Sequence, residues 1–360
     1  MRNGVPVLLG SGRYIQNEGA LSLIGSETAQ YGKKALILAG KTAWSVAEEK
    51  IKESLEKSGI DFTLFIFDGY CSEPYTDKIA ATAKECGAEI VIGVGGGKVL
   101  DAAKWAANKI PVRCICIPTS CATCSAYVSL CVVYDDTGSV IKPAYINNEV
   151  AAVLVDTDLI ARNSPPRLFA AGIADALAKF PEMEFSMSHA TNWERSILPR
   201  MGVMLSKFNL DIYFDKGLEA LESVKQKKVT PVMEDILCTN LVLTGLISLL
   251  ASGGKQIAIA HAIYDCTAAK FKAQRNQYLH GEIVACALPV QMGINGYDEA
   301  EITKMREFLK SLGIPLKLAD MGIEPSKENL KVFTDYIFTS MEITDPDLKK
   351  RIEDNIGRIA

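Results

Sequence analysis

The chain has 360 residues, 48% of them hydrophobic and 23% charged, with a net charge of −4. That length exceeds one ordinary core, so two domains are expected. A mildly acidic protein without a basic stripe is a poor match for nucleic acid, and the most apolar run, 241–251, is shorter than the roughly 20 residues that span a bilayer.

In chain order, 35–39 is a short apolar run ending in Gly40 and reads as a buried strand. Residues 42–57 have helical spacing, with Ala47, Ile51 and Leu55 on one face. A strand over 62–67, a helix over 75–86, a strand over 90–94, a helix over 98–108 and a strand over 114–117 follow. This alternation predicts βαβ units and a parallel sheet. Further strands are expected over 130–134 and 153–155. Beyond Pro165-Pro166 the texture changes to long helical patterns, over 168–189, 232–252, 256–270, 282–294 and 299–311, with little strand signal. The boundary is therefore placed near residue 160, giving an α/β domain over 1–160 and an all-helical domain over 161–360.

Val94-Gly95-Gly96-Gly97-Lys98 follows a predicted strand and opens a predicted helix. Glycines let the backbone approach an anion, and a helix N-terminus offers free N–H groups. Lys98 adds a positive charge. Phosphate binding is expected here, although the spacing is neither G-x-G-x-x-G nor a P-loop, and a plain tight turn is the alternative. Asp101, one turn further, reads as a charge near the helix N-terminus beside that site. A dinucleotide would place its ribose at the end of the first strand, where an acidic side chain selects NAD. This chain has Gly40-Lys41 instead. Gly40 leaves room and Lys41 offers a partner for a 2′-phosphate, which favours NADP over NAD.

The three histidines are His189, His261 and His280. His261 lies in the apolar run 257–263, His280 at the apparent start of a helix, and Asp175 among small apolar residues in 171–178. Buried groups of these types need partners. One cation shared by Asp175, His261 and His280 would serve all three; separately satisfied core residues are the alternative. His189 sits on a more polar helix end and reads as a non-ligand. The ten cysteines, with no apolar signal core following Met1, predict reduced thiols and a cytoplasmic location. Cys121-x-x-Cys124 lacks the second pair of a structural zinc site, so these thiols read as buried or pocket-lining.

Six ordered motifs resemble the iron-containing alcohol dehydrogenase superfamily, in its glycerol dehydrogenase branch, over nearly the whole chain. They are Gly95-Gly96-Gly97-Lys98-x-x-Asp101-x-x-Lys104, Ile117-Pro118-Thr119, Val153-Leu154-Val155-Asp156, the run 171–177 around Asp175, Ala260-His261-Ala262-Ile263 and Leu279-His280-Gly281-Glu282. The resemblance implies a Rossmann-like α/β domain with a parallel sheet, followed by an all-α metal-binding domain, the dehydroquinate synthase-like architecture. It implies NAD or NADP with its pyrophosphate at Gly95, Gly96, Gly97 and Lys98 and its nicotinamide side near Thr119, Ser120, Leu130 and Tyr134. It implies one divalent metal on Asp175, His261 and His280, either Zn2+ or Fe2+, a small alcohol or carbonyl substrate, and a homo-oligomer. Where other branches add a ligand His four residues after the Asp, this chain has Lys179, as in the three-ligand branch.

Two departures bear on substrate. Glycerol dehydrogenases of the family usually carry an Asp that contacts polyol hydroxyls within Ser-Thr-Asp-Ala-Pro. Here the segment is Ala122-Thr123-Cys124-Ser125-Ala126, and the thiol of Cys124, the expected substrate contact, cannot replace a carboxylate acceptor. This segment and Asp68-Gly69-Tyr70-Cys71-Ser72-Glu73 look more like a hydroxycarboxylate dehydrogenase relative. The expectation is thus a metal-dependent, NAD(P)-linked dehydrogenase with a preference for 2-oxo and 2-hydroxy acids. NAD-dependent oxidation of glycerol is the alternative. A non-catalytic dinucleotide-binding protein would not need all three metal positions, and a dehydroquinate synthase-like lyase would show a richer Lys/Arg set.

Overall fold

The computed structural model describes residues 8–136, 138–189, 196–251 and 257–360. Eight strands are present among them: β1 (Tyr14–Asn17), β2 (Lys34–Gly40), β3 (Asp61–Phe67), β4 (Ile90–Gly95), β5 (Arg113–Pro118), β6 (Leu130–Tyr134), β7 (Val140–Tyr145) and β8 (Ala152–Asp156). Six of them form a parallel sheet in the order β1-β8-β5-β4-β2-β3, and β6 and β7 pair as a separate antiparallel ribbon. The central strand β4 is buried at every position, as expected where helices cover both faces of a parallel sheet. Trp44, Ala47, Ile51 and Leu55 of the helix Lys41–Lys57 pack on the sheet with Ile37, Ile92 and Ile115.

From β2 the chain crosses to β3 at the edge, and from β4 it crosses the other way to β5. The carboxyl ends of β2 and β4 therefore flank a topological switch point, the place where open α/β sheets bind ligands. These ends are Gly40 and Gly95, which the sequence singles out on independent grounds.

The helical patterns divide more finely than their spacing suggests. The run 168–189 is two helices, Pro166–Leu177 and Lys179–Ser188, and 282–294 lies in His280–Cys286 and Leu288–Asn295. Ser252 and Gln256, predicted helix ends, lie outside the described residues. The 29-residue helix Ile197–Lys225 has no counterpart among the helical patterns of the sequence. Apolar side chains occur around its circumference, several of them exposed, such as Met204 and Phe208, so no single apolar stripe marks it.

The described residues group into two compact units. One runs up to Phe169 and includes Glu219–Leu249; the other comprises Ala170–Leu218 and Leu250–Ala360. A single cut near residue 160 does not reproduce this division, because the segment Glu219–Leu249 returns to the sheet-bearing unit. The side chain of Asn240 is one reason: its amide donates to the Cys121 carbonyl at 3.0 Å. The helical run Pro231–Ala251, which widens into a π-helical turn over Thr239–Leu243, is longer than the apolar run read from sequence. By length and composition alone it could cross a membrane. Its Met233, Ile236, Leu237, Leu241 and Ile247 are buried inside the protein.

Candidate metal centre and cofactor site

Asp175 lies near the end of the helix Pro166–Leu177, whose small residues allow close approach. The helix His280–Cys286 makes use of this. A β-carbon at Gly281 would overlap the Ala171 carbonyl oxygen and lie 2.9 Å from Asp175 Cβ. Glycine at 281 is thus what lets His280 reach Asp175. The helix Ile259–Lys270 brings in His261; its first N–H groups are taken by side chains, Ile259 N–H by Gln291 Oε1 at 2.8 Å and His261 N–H by Glu182 Oε1 at 2.9 Å.

Asp175 Oδ1 lies 3.2 Å from His280 Nε2 and 3.6 Å from His261 Nε2. One donor atom from each of the three residues falls within 4.8 Å of the others. Asp175 Oδ1 is buried and makes no hydrogen bond, a costly state for a carboxylate. Burial works against its charge, but the imidazole of His280 above all, with Lys179 and His261, holds the carboxyl well below its usual range. It is therefore in the ionised form a metal requires. An orphaned carboxylate oxygen beside two imidazole nitrogens fits a divalent cation. The set is two His and one carboxylate, which leaves coordination positions open, as catalytic sites do.

Tyr264 meets the His280 ring edge-on, with centroids 4.1 Å apart, and its hydroxyl accepts from Arg275 at 3.0 Å. It braces His280. His189 Nδ1 lies 2.9 Å from both Ser188 Oγ and the Phe185 carbonyl, apart from the donor set. Gly281→Ala is expected to weaken metal binding at least about tenfold by displacing His280; an unchanged affinity in a competition titration would contradict this packing.

In the sheet-bearing unit, Gly95 has a φ of 153°, which side-chain-bearing residues rarely adopt. The helix Gly97–Lys109 starts there with no side chain capping it. A β-carbon on Gly96 would meet only Ser120 Oγ, at 3.8 Å. The result is an open cradle with a helix N-terminus at its base, suited to a pyrophosphate. Thr119 N–H donates to the Gly95 carbonyl at 3.2 Å, bringing Thr119 and Ser120 to the same turn. The Lys98 ammonium lies 4.6 Å from the Tyr70 ring centroid and 6.0 Å from that of Tyr134. Gly40 is the residue before the helix Lys41–Lys57, with φ −68° and ψ 144°. A β-carbon there would make only ordinary contacts, at 3.5 Å to Val99 Cγ2 and 3.9 Å to Ala43 Cβ. The backbone does not require glycine at that position.

Asp101 serves a different purpose from the one its spacing suggests. Its Oδ1 accepts from Ser125 Oγ at 2.6 Å and lies 3.0 Å from Lys104 Nζ, while Oδ2 accepts from Val132 N–H at 3.1 Å. Both oxygens are thus engaged by protein groups. Lys104 is fully buried and donates to the carbonyls of Ser125, Val128 and Leu130. Burial opposes its charge, but the Asp101 carboxylate outweighs that and raises its pKa above the ordinary value. Together they pin the segment that carries Thr123 and Cys124 and leads into Leu130. Asn240 pins its other end at Cys121. Burial pushes the Cys121 thiol up to about 12, which makes it an inert thiol. All ten cysteines are free.

A glycine cradle at the switch point of a parallel sheet, with an Asp–His–His centre on the helical unit, is the layout of a metal-dependent alcohol dehydrogenase. Comparison with known proteins agrees. The model of the family "Iron-containing alcohol dehydrogenase" matches residues 11–158. The chain is 33% identical to a glycerol dehydrogenase of Pseudomonas putida, covering 87% of this chain and 84% of that protein. It is 26% identical to hydroxycarboxylate dehydrogenase A of Escherichia coli, covering 89% and 87%. A probable glycerol dehydrogenase of Sinorhizobium meliloti 1021 has the same fold, with a TM-score of 0.83 at 27% identity and 98% of each chain covered. This chain belongs to the iron-containing alcohol dehydrogenase family.

Proposed function

We propose that the protein interconverts a small polyol of the glycerol class and the corresponding carbonyl compound, exchanging hydride with a nicotinamide dinucleotide. The observation that carries this reading is the orphaned Asp175 Oδ1 beside His261 and His280. A divalent cation bound there, Zn2+ or Fe2+, would supply Lewis-acid polarisation of the substrate oxygen. The chain's own part is to hold the three donors in place, through Gly281 and Tyr264, and to hold the pyrophosphate on Gly95, Gly96, Gly97 and Lys98. The similarity to glycerol dehydrogenases favours polyols over the 2-hydroxy acid preference read from sequence. Cys124 supports the second reading, a small 2-oxo acid, because no carboxylate stands there to accept a polyol hydroxyl or to repel a substrate carboxylate. For the cofactor, NADP is favoured: Gly40 carries no acidic group, and the neighbouring Lys41 is exposed.

Initial rates of the Zn2+- or Fe2+-loaded protein with glycerol, 1,2-diols and 2-oxo acids, each with NAD(H) and NADP(H), test both choices. The highest kcat/KM is expected for a diol or glycerol with the phosphorylated cofactor. A 2-oxo acid outpacing both would replace the polyol reading, and no turnover with any pair would remove both.

A further inference from the structure

We infer that Glu182 is a positioning residue that presets the His261 imidazole for a cation before one binds. This rests on the metal-centre reading above. Glu182 lies on the helix Lys179–Ser188 and is buried. Its two carboxylate oxygens serve one residue. Oε1 accepts the His261 N–H at 2.9 Å, and Oε2 lies 2.7 Å from Nδ1 of the same side chain.

The backbone N–H belongs to the first turn of the helix Ile259–Lys270, where no carbonyl within the helix can take it. Glu182 therefore locks the imidazole to the helix end that carries it. A carboxylate facing Nδ1 requires the proton on that nitrogen, which leaves the Nε2 lone pair on the side of Asp175 Oδ1, 3.6 Å away. An imidazole held this way is a stronger and better-oriented ligand, because one tautomer and one ring orientation are selected in advance. Gln291 provides an internal contrast. It caps the same helix through Ile259 N–H and is not bonded to either imidazole.

The test exploits the small number of histidines, three in the chain. Imidazole 15N NMR of the metal-free protein at alkaline pH reads each tautomer. Competition titration reads Zn2+ affinity. In the wild type, His261 is expected as the Nδ1–H tautomer. Glu182→Gln is expected to give a tautomer mixture and to weaken Zn2+ binding by about 10–100-fold. Gln291→Leu is expected to lower Tm while leaving the tautomer and the affinity unchanged. Should Glu182→Gln fail to fold, the wild-type spectrum still decides, since an Nε2–H tautomer overturns the inference. Full affinity in Glu182→Gln also overturns it, and leaves the metal centre standing. A wild type that binds no stoichiometric Zn2+ overturns both.

Discussion

Asp175→Asn is expected to abolish stoichiometric metal binding and to cut kcat/KM by on the order of 10^3-fold, equivalent to several kcal/mol of transition-state stabilisation. The substitution keeps the size and shape of the side chain and removes the charge that two imidazoles converge on. Folding should survive. In the metal-free protein Asp175 Oδ1 is buried without a hydrogen bond, so an amide breaks no hydrogen bond there and gives up only the attraction between the carboxylate and the neighbouring imidazoles. The combination to look for is lost metal and lost turnover in a metal-free form that still unfolds cooperatively. Activity within about tenfold of wild type would remove Asp175 from the centre.

The second large effect concerns Asp101 and Lys104. Asp101→Ala leaves the Lys104 ammonium fully buried with carbonyl partners and no counter-charge. Breaking one side of a buried ion pair costs about 3–5 kcal/mol, which lowers the apparent Tm by on the order of 10 °C. Lys104→Met, which removes the other side, should also destabilise. Replacing both should recover most of the loss, since a buried pair exchanged for apolar groups is often close to neutral. The double variant should still bind cofactor weakly, because the segment carrying Thr123 and Cys124 loses its anchors at Ser125, Val128 and Leu130. Thermal unfolding of the four proteins, with dinucleotide titration by fluorescence, measures both parts. Additive losses would show that the two side chains do not act as a pair.

What the sequence exposes and what it conceals divide on physical lines. Gly95 to Lys98 could be read because a phosphate turn is local: the strand, the glycines and the helix start are contiguous. Asp175, His261 and His280 could be singled out because polar residues inside apolar helical runs are conspicuous wherever they meet. The supporting residues give no such signal. Glu182 and Gln291 are ordinary residues on helices, and only the fold shows that both close the same helix start. Asp101 reads as a charge near a helix N-terminus, and nothing local announces its partners, Ser125 and Val132, which come from a distant segment. The ribbon strand β7, exposed at nearly every position, has no alternation to detect. The return of Glu219–Leu249 to the sheet-bearing unit depends on contacts such as Asn240 to Cys121, which separation along the chain hides.

The geometry at Gly40 has a consequence for how a lineage of such proteins could change. The backbone there is ordinary extended chain, and a β-carbon would make only van der Waals contacts. Side chains at this position are therefore not filtered by foldability. An acidic residue could appear or disappear there at little cost to stability, whereas Gly281, packed against the Ala171 carbonyl, admits no such exchange; if position 40 selects the dinucleotide as proposed, that choice can change in a single step.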